Sequence, residues 1–295
     1  EINMYEDMPA RRVSEHFETL LYGKHPLGRE ILGPKDNIKS FTRDDFVRYL
    51  KRGYVARNVV VGVAGKMNSK KVKRAIKQHF AHIRTGKNPV FKKIQETQNK
   101  PALVVHHKKS DQTHIIIGVR AYDMFHKDRF VLALLATILG GGMSSRLFME
   151  VRERRGLAYS VHTSVDAYHD SGYLATQCGV EHSNVEKTIA VILQEYKKIA
   201  TALVSTDELQ KAKEYAKGHA ALGLEGSDDV VNYLVTQETV RHDILLPKER
   251  DAMIDRVTPR DILRVAKYIF QNKKLNMAMI GPHTGSARYM NIFHL

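Results

Sequence analysis

The sequence predicts an α+β protein whose sheets are mostly antiparallel. The strands come in neighbouring pairs, and the helices cluster later in the chain, whereas a βαβ nucleotide-binding fold alternates single strands with helices. The predicted strands are 101–107, 112–120, 158–165 and 172–179. A second observation is an internal repeat, in which a capped helix followed by a strand occurs twice. The sequence therefore predicts two related domains of this class.

The repeat relates residues 38–65 to residues 254–281 at a constant offset of 216, without gaps. The identical pairs are Ile38 with Ile254, Thr42 with Thr258, Asp45 with Asp261, Arg48 with Arg264, Lys51 with Lys267 and Gly65 with Gly281. In each copy a threonine N-cap precedes an acid by three residues, which predicts a helix start. We interpret the repeat as a duplication. Since the second copy begins near residue 101, 116 of its residues lack a counterpart here, and we expect the natural start to lie upstream of Glu1.

The other elements follow from hydrophobic periodicity and capping signals. Helices are predicted over 10–22, 69–82, 127–139, 185–202, 206–222 and 227–242, and the repeated strands over 59–63 and 275–280. A short helix capped by Ser144 or Ser145 is predicted to end at Gly156, and Ser205 with Glu208 forms a predicted capping box. A loop is predicted over 25–37 and a linker over 84–100.

Composition excludes several classes of protein. The chain has 295 residues, 43% hydrophobic and 27% charged, which is typical of globular proteins and sufficient for about two domains. No apolar run approaches the roughly 18 residues that a membrane span needs. The single cysteine, Cys178, excludes a disulfide within the chain and a cysteine-based zinc site, and it lies in an apolar strand. We expect a cytoplasmic protein, with the mitochondrial matrix as the alternative.

Positive charge is concentrated in one stretch. The net charge is +15, and residues 66–100 hold 11 basic side chains against one acid, Glu96. Such a block could bind an acidic polymer, but no aromatic residues interleave with the lysines as nucleic-acid stacking would require. A solvated helix face followed by a linker is the simpler interpretation, and we expect no nucleic-acid partner.

Two other patterns fail to define a site. The glycine-rich segment LGGGMSSRLF (139–148) lacks the Rossmann spacing and the Walker lysine, so a flexible turn is the better interpretation than a nucleotide loop. The chain has 15 histidines, but no pair has the i, i+4 spacing beside an acid that a helical zinc motif requires. The sequence also contains no nucleophile elbow.

Arg152 and Tyr159 are the strongest candidate pair. Arg152 lies in the last turn of the short helix, Gly156 can end that helix, and Tyr159 opens the next strand. A guanidinium and a phenol at one helix-to-strand corner could bind a peptide carbonyl or a carboxylate. The alternative is an arginine that satisfies helix-end carbonyls beside a half-buried tyrosine. From these residues alone, both interpretations stay open and the structural alternative is favoured.

Four segments nevertheless resemble one family, the M16 zinc metallopeptidases, which include mitochondrial processing peptidase, insulysin and pitrilysin. The segments are EINMYEDMP (1–9), YGKHPLGREILGPKDNIKSFTRDDF (22–46), GGGMSSRLFMEVRERRGLAYSV (141–161) and LNMAMIGP (275–282). They span nearly the whole chain and are most similar to the smaller bacterial members. The resemblance implies two homologous α/β-roll domains that enclose a chamber.

The resemblance also implies site residues. Members bind zinc through two histidines of an HxxEH helix and a later glutamate, and Glu1 matches that glutamate, whereas HxxEH is absent from these 295 residues. Arg152 and Tyr159 match the arginine and tyrosine that members direct at the substrate. Tyr159 would donate to the scissile carbonyl, Arg152 would hold substrate backbone, and strand 158–165 would supply or border a peptide-binding edge.

We therefore expect residues 1–95 to be the C-terminal half of the first, catalytic domain, 96–100 a linker and 101–295 the second domain. The expected function is the C-terminal part of a zinc endopeptidase that hydrolyses peptides or unfolded polypeptides, with this chain alone inactive. The alternatives are a non-catalytic partner or scaffold subunit, and a basic surface for an acidic polymer. Expected partners are the polypeptide substrate and another M16 domain in a homodimer or heterodimer.

Overall fold

The structure, a computed structural model, describes residues 1–87 and 90–295. Its helices are α1 (Ile2–Glu6), α2 (Pro9–Tyr22), α3 (Lys35–Ser40), α4 (Arg43–Gly53), α5 (Ser69–His79), α6 (Arg129–Gly140), α7 (Val185–Thr201), α8 (Thr206–Leu222), α9 (Ser227–Arg241), α10 (Pro247–Asp255), α11 (Pro259–Ile269) and α12 (Ala287–Met290). The strands are β1 (Ala102–His107), β2 (Thr113–Ala121), β3 (Ala158–Ala167), β4 (Gly172–Val180) and β5 (Leu275–Gly281). One π-helical turn spans Phe148–Glu153.

Contacts divide the chain into two compact units. Unit 1 comprises Glu1–Gly33, Lys93–Ala216 and Met253–Leu295, and unit 2 comprises Pro34–Lys92 and Lys217–Ala252. This division groups residues by contact, whereas the predicted linker at 96–100 separates homologous copies. The domain boundaries therefore stay a prediction. Residues 88 and 89, inside the predicted first domain and the linker stretch 84–100, lie outside the described residues.

Unit 1 is built on a five-stranded sheet with the order β1-β5-β2-β4-β3. The β1–β5 pair is parallel, and the other three pairs are antiparallel. The predicted α+β class with a mostly antiparallel sheet is confirmed. The order places β1 and β3 at the two edges, and no further strand in the described part of the chain pairs with either.

Helices cover both faces of this sheet. On one face α6, α7 and α11 bury the main core, which includes Leu135 and Ile189 with no exposed surface. On the other face α2 packs through Val13, Phe17 and Leu21. The helix can approach closely because β2 carries Gly118, where an added Cβ would lie 2.9 Å from the Phe17 ring. Burying such side chains supplies the main favourable free energy of folding.

A histidine pair lies where α2 meets the edge strand β1. The rings of His16 and His106 stack with centroids 3.5 Å apart and planes 8° from parallel. Burial, with smaller contributions from His106 and Arg12, lowers the pKa of His16 to about 4 against the opposing effect of Glu30. The pKa of His106 is also lowered, first by burial and then by Arg12, with Glu30 again opposing. Both rings are therefore neutral at pH 7.

We expect the stability of unit 1 to fall as the pH drops from 6.5 towards 4. A depressed folded pKa means that the unfolded chain binds the proton first, so the stabilisation is complete above the unfolded pKa and is lost in acid. His16→Phe keeps the stack without titrating, and it should lose about 1 kcal/mol less than the parent over this range, after allowance for solvent screening. Amide exchange of β1 and β5 measures the difference. The exposed His79 provides the control variant His79→Gln, and equal acid sensitivity of His16→Phe and the parent would contradict the prediction.

The repeated helix begins with a threonine–aspartate capping box in both copies. The backbone N–H of Thr42 donates to Asp45 at 2.8 Å, and that of Thr258 donates to Asp261 at 3.0 Å, so both predicted helix starts are confirmed. The two helices differ in how far their apolar side chains are buried. Phe46 of α4 is 61% exposed, whereas its counterpart Ile262 of α11 is fully buried.

The predicted strand at 59–63 is wrong. Its counterpart β5 lies between β1 and β2, whereas residues 59–63 have no ladder partner among the described residues. Alternating apolar residues favour an extended chain, but a strand forms only where a neighbour supplies hydrogen bonds. The predicted loop at 25–37 is also partly helical, with a 3₁₀ turn at Pro26–Gly28 and the start of α3.

The predicted basic helix is α5, which begins after the Asn68 cap and ends at His79. Its five lysine and arginine side chains are exposed, and binding of an acidic polymer there stays a prediction. In the part of the chain that the structure describes, no helix combines the length and the apolar character needed to cross a membrane.

Candidate functional site

The candidate site begins at the π-helical turn Phe148–Glu153. The buried Val151 anchors this turn in the main core, and its carbonyl accepts the N–H of Leu157 at 2.8 Å. Gly156 has a φ of +58°, a conformation that glycine adopts without steric cost, and its N–H donates to the Arg152 carbonyl. The chain then enters β3, so the predicted helix-to-strand corner at Gly156 is confirmed. π-helical turns occur frequently at functional sites.

Tyr159 lies in an irregularity of the edge strand. Ala158 pairs with Val180 and Ser160 pairs with Gly179, so Tyr159 is the extra residue of a β-bulge. Its side chain is 78% exposed, and its hydroxyl has no hydrogen-bond partner in the described part of the chain. The alternative of a half-buried tyrosine is therefore wrong. The bulge directs the phenol outward because the residue is not constrained by the ladder.

Arg152 is stacked between two aromatic rings. Its guanidinium carbon lies 4.8 Å from the centroid of Tyr159 and 4.9 Å from that of Phe148. The nearest carboxylate oxygen, on Glu153, lies 3.6 Å from Nε, which is beyond hydrogen-bond distance. No side-chain hydrogen bond of Arg152 occurs among the described residues. The structure thus brings Arg152 and Tyr159 together and leaves the donors of both unused.

A neighbouring arginine, Arg155, donates to a carbonyl at the end of the turn instead. Nη1 of Arg155 donates to the Glu150 carbonyl at 3.0 Å and also pairs with the Glu150 carboxylate. Hydrogen bonding to Arg155 lowers the pKa of Glu150 below its usual value. The interpretation of Arg152 as the group that satisfies helix-end carbonyls is therefore wrong.

A cleft of about 650 Å³ lies beside β3 on the sheet face that α2 partly covers. Alternate residues of β3 line it, namely Ser160, His162, Ser164 and Asp166, and Gln177 of β4 continues its floor. Neither Arg152 nor Tyr159 lines the cleft, but the strand that carries Tyr159 borders it. A peptide pairing with the outer edge of β3 would direct alternate side chains into this space.

Glu1 is separate from this corner. It is exposed at the start of α1, and its side chain makes no capping hydrogen bond. In the described ranges, no group of three histidine, cysteine, aspartate or glutamate residues could hold a metal ion. Protein zinc sites usually take three or four such ligands. The residues present therefore do not fit a complete zinc site, and Glu1 as a ligand stays a prediction.

Two features of the corner were not predicted from the sequence. Phe148 lies four residues before Arg152, a spacing that places two side chains on one side of a helix, so the contact could have been predicted. The bulge at Tyr159 had no such signal because it depends on the register between β3 and β4.

Comparison with known proteins defines the class. The family described as Peptidase M16 inactive domain matches residues 40–215. The crystal structure of a peptidase M16 inactive domain from Pseudomonas fluorescens has the same fold, with a TM-score of 0.86 at 20% identity, covering 96% of this chain and 68% of that one. The chain belongs to the M16 peptidase family.

Two curated relatives are each named an uncharacterized zinc protease. The protein of Mycobacterium leprae is 31% identical over 286 residues, which cover 96% of this chain and 64% of the relative. That of Bacillus subtilis is 30% identical over 287 residues, covering 96% and 68%. The chain thus spans about two thirds of the length of these relatives.

Proposed function

We propose that this chain is the C-terminal, substrate-holding part of a zinc-dependent endopeptidase that hydrolyses peptides or unfolded polypeptides in an enclosed chamber. The observation that carries the proposal is the contact of Arg152 with the exposed Tyr159 at the start of β3, an edge strand of the described sheet. The names of the relatives support zinc proteolysis for the protein that contains such a chain. The metal is proposed to be held largely by residues outside these 295.

The proposed roles follow from the donors at the corner. A peptide pairs with the outer edge of β3, and the guanidinium of Arg152 donates to its backbone carbonyls in the plane of the fork. The phenol of Tyr159 donates to the scissile carbonyl oxygen as that oxygen gains negative charge. A positioned donor of this kind stabilises the transition state by about 2.7–4 kcal/mol.

The test is a titration of the chain with a fluorescein-labelled unfolded peptide, followed by anisotropy. Arg152→Ala should raise the Kd about tenfold, equivalent to about 1.4 kcal/mol. Arg154→Ala removes the same charge from the residue that follows this turn, where Arg154 pairs with Glu150, and should change the Kd less than about twofold. Equal effects of the two variants, or no saturable binding by the parent chain, would contradict the proposal.

Zinc binding by this chain alone is expected to be weak. With Glu1 as a single carboxylate and no three-residue metal group among the described residues, dialysis should leave far less than one zinc per chain. Peptide cleavage should also be absent. Stoichiometric zinc retained through dialysis, together with cleavage that a chelator abolishes, would refute this prediction.

A second candidate function is a non-catalytic M16 partner or scaffold subunit. It is supported by the description of the matched family as an inactive domain. It predicts that peptide affinity and cleavage are unaffected by changes at Arg152 and Tyr159 when the chain is assembled with a catalytic partner.

A further inference from the structure

Three side chains form a continuous stack at the corner. The ring of Phe148, the guanidinium of Arg152 and the ring of Tyr159 follow one another, with separations of 4.9 and 4.8 Å from the guanidinium carbon to the two centroids. Each cation–π contact contributes about 0.5–1 kcal/mol at an exposed site. Both rings therefore lie within cation–π range of the same guanidinium.

The members of the stack differ in how they are anchored. Phe148 is partly buried and packs against the main core of unit 1. Tyr159 is 78% exposed, and neither its hydroxyl nor the Arg152 side chain makes a hydrogen bond within the described residues. Phe148 is thus held by the core, Arg152 contacts Phe148, and the exposed side chain of Tyr159 contacts Arg152. The contacts therefore connect the exposed phenol, through Arg152, to a ring that packs on the core.

We propose that Phe148 is a positioning residue that fixes the plane of Arg152 and, through it, the phenol of Tyr159. This inference rests on the proposed function of Arg152 and Tyr159 in holding a peptide. Contact with a ring leaves the N–H donors of Arg152, which lie in the plane of the guanidinium, available to a ligand. Phe148 thereby reduces the side-chain freedom that peptide binding would otherwise have to remove.

The test combines ring removal with ring rescue. Phe148→Leu should raise the Kd for the labelled peptide about fivefold, whereas Phe148→Tyr, which keeps a ring, should stay within about twofold of the parent. The matched control is Phe130→Leu, because Phe130 stacks with Arg129 at 4.6 Å in the same unit but outside the corner. Should Phe148→Leu fail to fold, Phe148→Met keeps the volume of the side chain without a ring face.

A double-mutant cycle separates positioning from general loosening of the fold. If Phe148 acts through Arg152, Phe148→Leu should have almost no effect on the Kd in an Arg152→Ala background. An undiminished effect in that background would show a merely structural role. Parent-like affinity of both Phe148→Leu and Phe148→Met would overturn the proposal.

An NMR measurement tests the stack without a peptide. In protein labelled at arginine, the side-chain resonances of Arg152 should be shifted upfield by the two rings, and Phe148→Leu should move them towards random-coil values while Phe148→Tyr should not. Unshifted Arg152 resonances in the parent would contradict the inference. If the parent shows this shift but binds no peptide, the proposed function fails while the stack itself is confirmed.

Discussion

Replacing Tyr159 with Phe is expected to lower kcat about 10²–10³-fold in the zinc peptidase of which we propose this chain to be a part. The phenol is the donor that we propose for the scissile carbonyl oxygen, and losing one oxyanion donor typically has an effect of this size. Because the ring and its stack on Arg152 remain, KM should change less than about threefold. Initial rates on a fluorogenic peptide measure both constants.

The control for this change is Tyr54→Phe, which removes a hydroxyl from another exposed tyrosine, in unit 2. It should leave both constants unchanged. If Tyr159→Phe retains kcat within about threefold, or if KM alone rises, Tyr159 is not the donor to the transition state.

Phe17→Ala is expected to destabilise unit 1 by about 3–5 kcal/mol. Phe17 is fully buried between α2 and the sheet, with its ring 5.3 Å from the edge-on ring of Tyr173. Truncation leaves a cavity next to Gly118, which has no side chain to fill it. Hydrogen exchange of β2 and β5 amides measures this unit separately from unit 2.

Phe46→Ala is the matched control, since it makes the same chemical change at a ring that is 61% exposed. Its effect should stay within about 0.5 kcal/mol. Equal protection losses in the two variants would show that α2 does not pack on the sheet as described.

Local signals predicted much of the fold. Threonine–acid pairs predicted the starts of α4 and α11, and both capping boxes are present. The sequence could not predict the strand order, because the parallel pairing of β1 with β5 joins segments about 170 residues apart. The predicted strand at 59–63 is wrong for the same reason: strand propensity does not show whether a neighbouring strand is present to pair with.

Long-range contacts also determine which partners individual side chains bind. Ser205 accepts the Glu208 N–H as the predicted capping box requires, but the Glu208 carboxylate pairs with Arg146 at 2.7 Å. That partner lies 62 residues away, so helix capping rules could not indicate it. At the candidate site, the sequence predicted Arg152, Tyr159 and the corner at Gly156, whereas the stack on Phe148 and the bulge became visible only in three dimensions.

The most direct test is a crystal structure of this chain with a bound, uncleaved peptide. We expect the peptide to lie extended along the outer edge of β3, with a backbone carbonyl within hydrogen-bond distance of the Tyr159 hydroxyl and another at the Arg152 guanidinium. A peptide bound at β1 or along α5, with the corner of Arg152 and Tyr159 vacant, would contradict the assignment of this corner as the substrate-holding site.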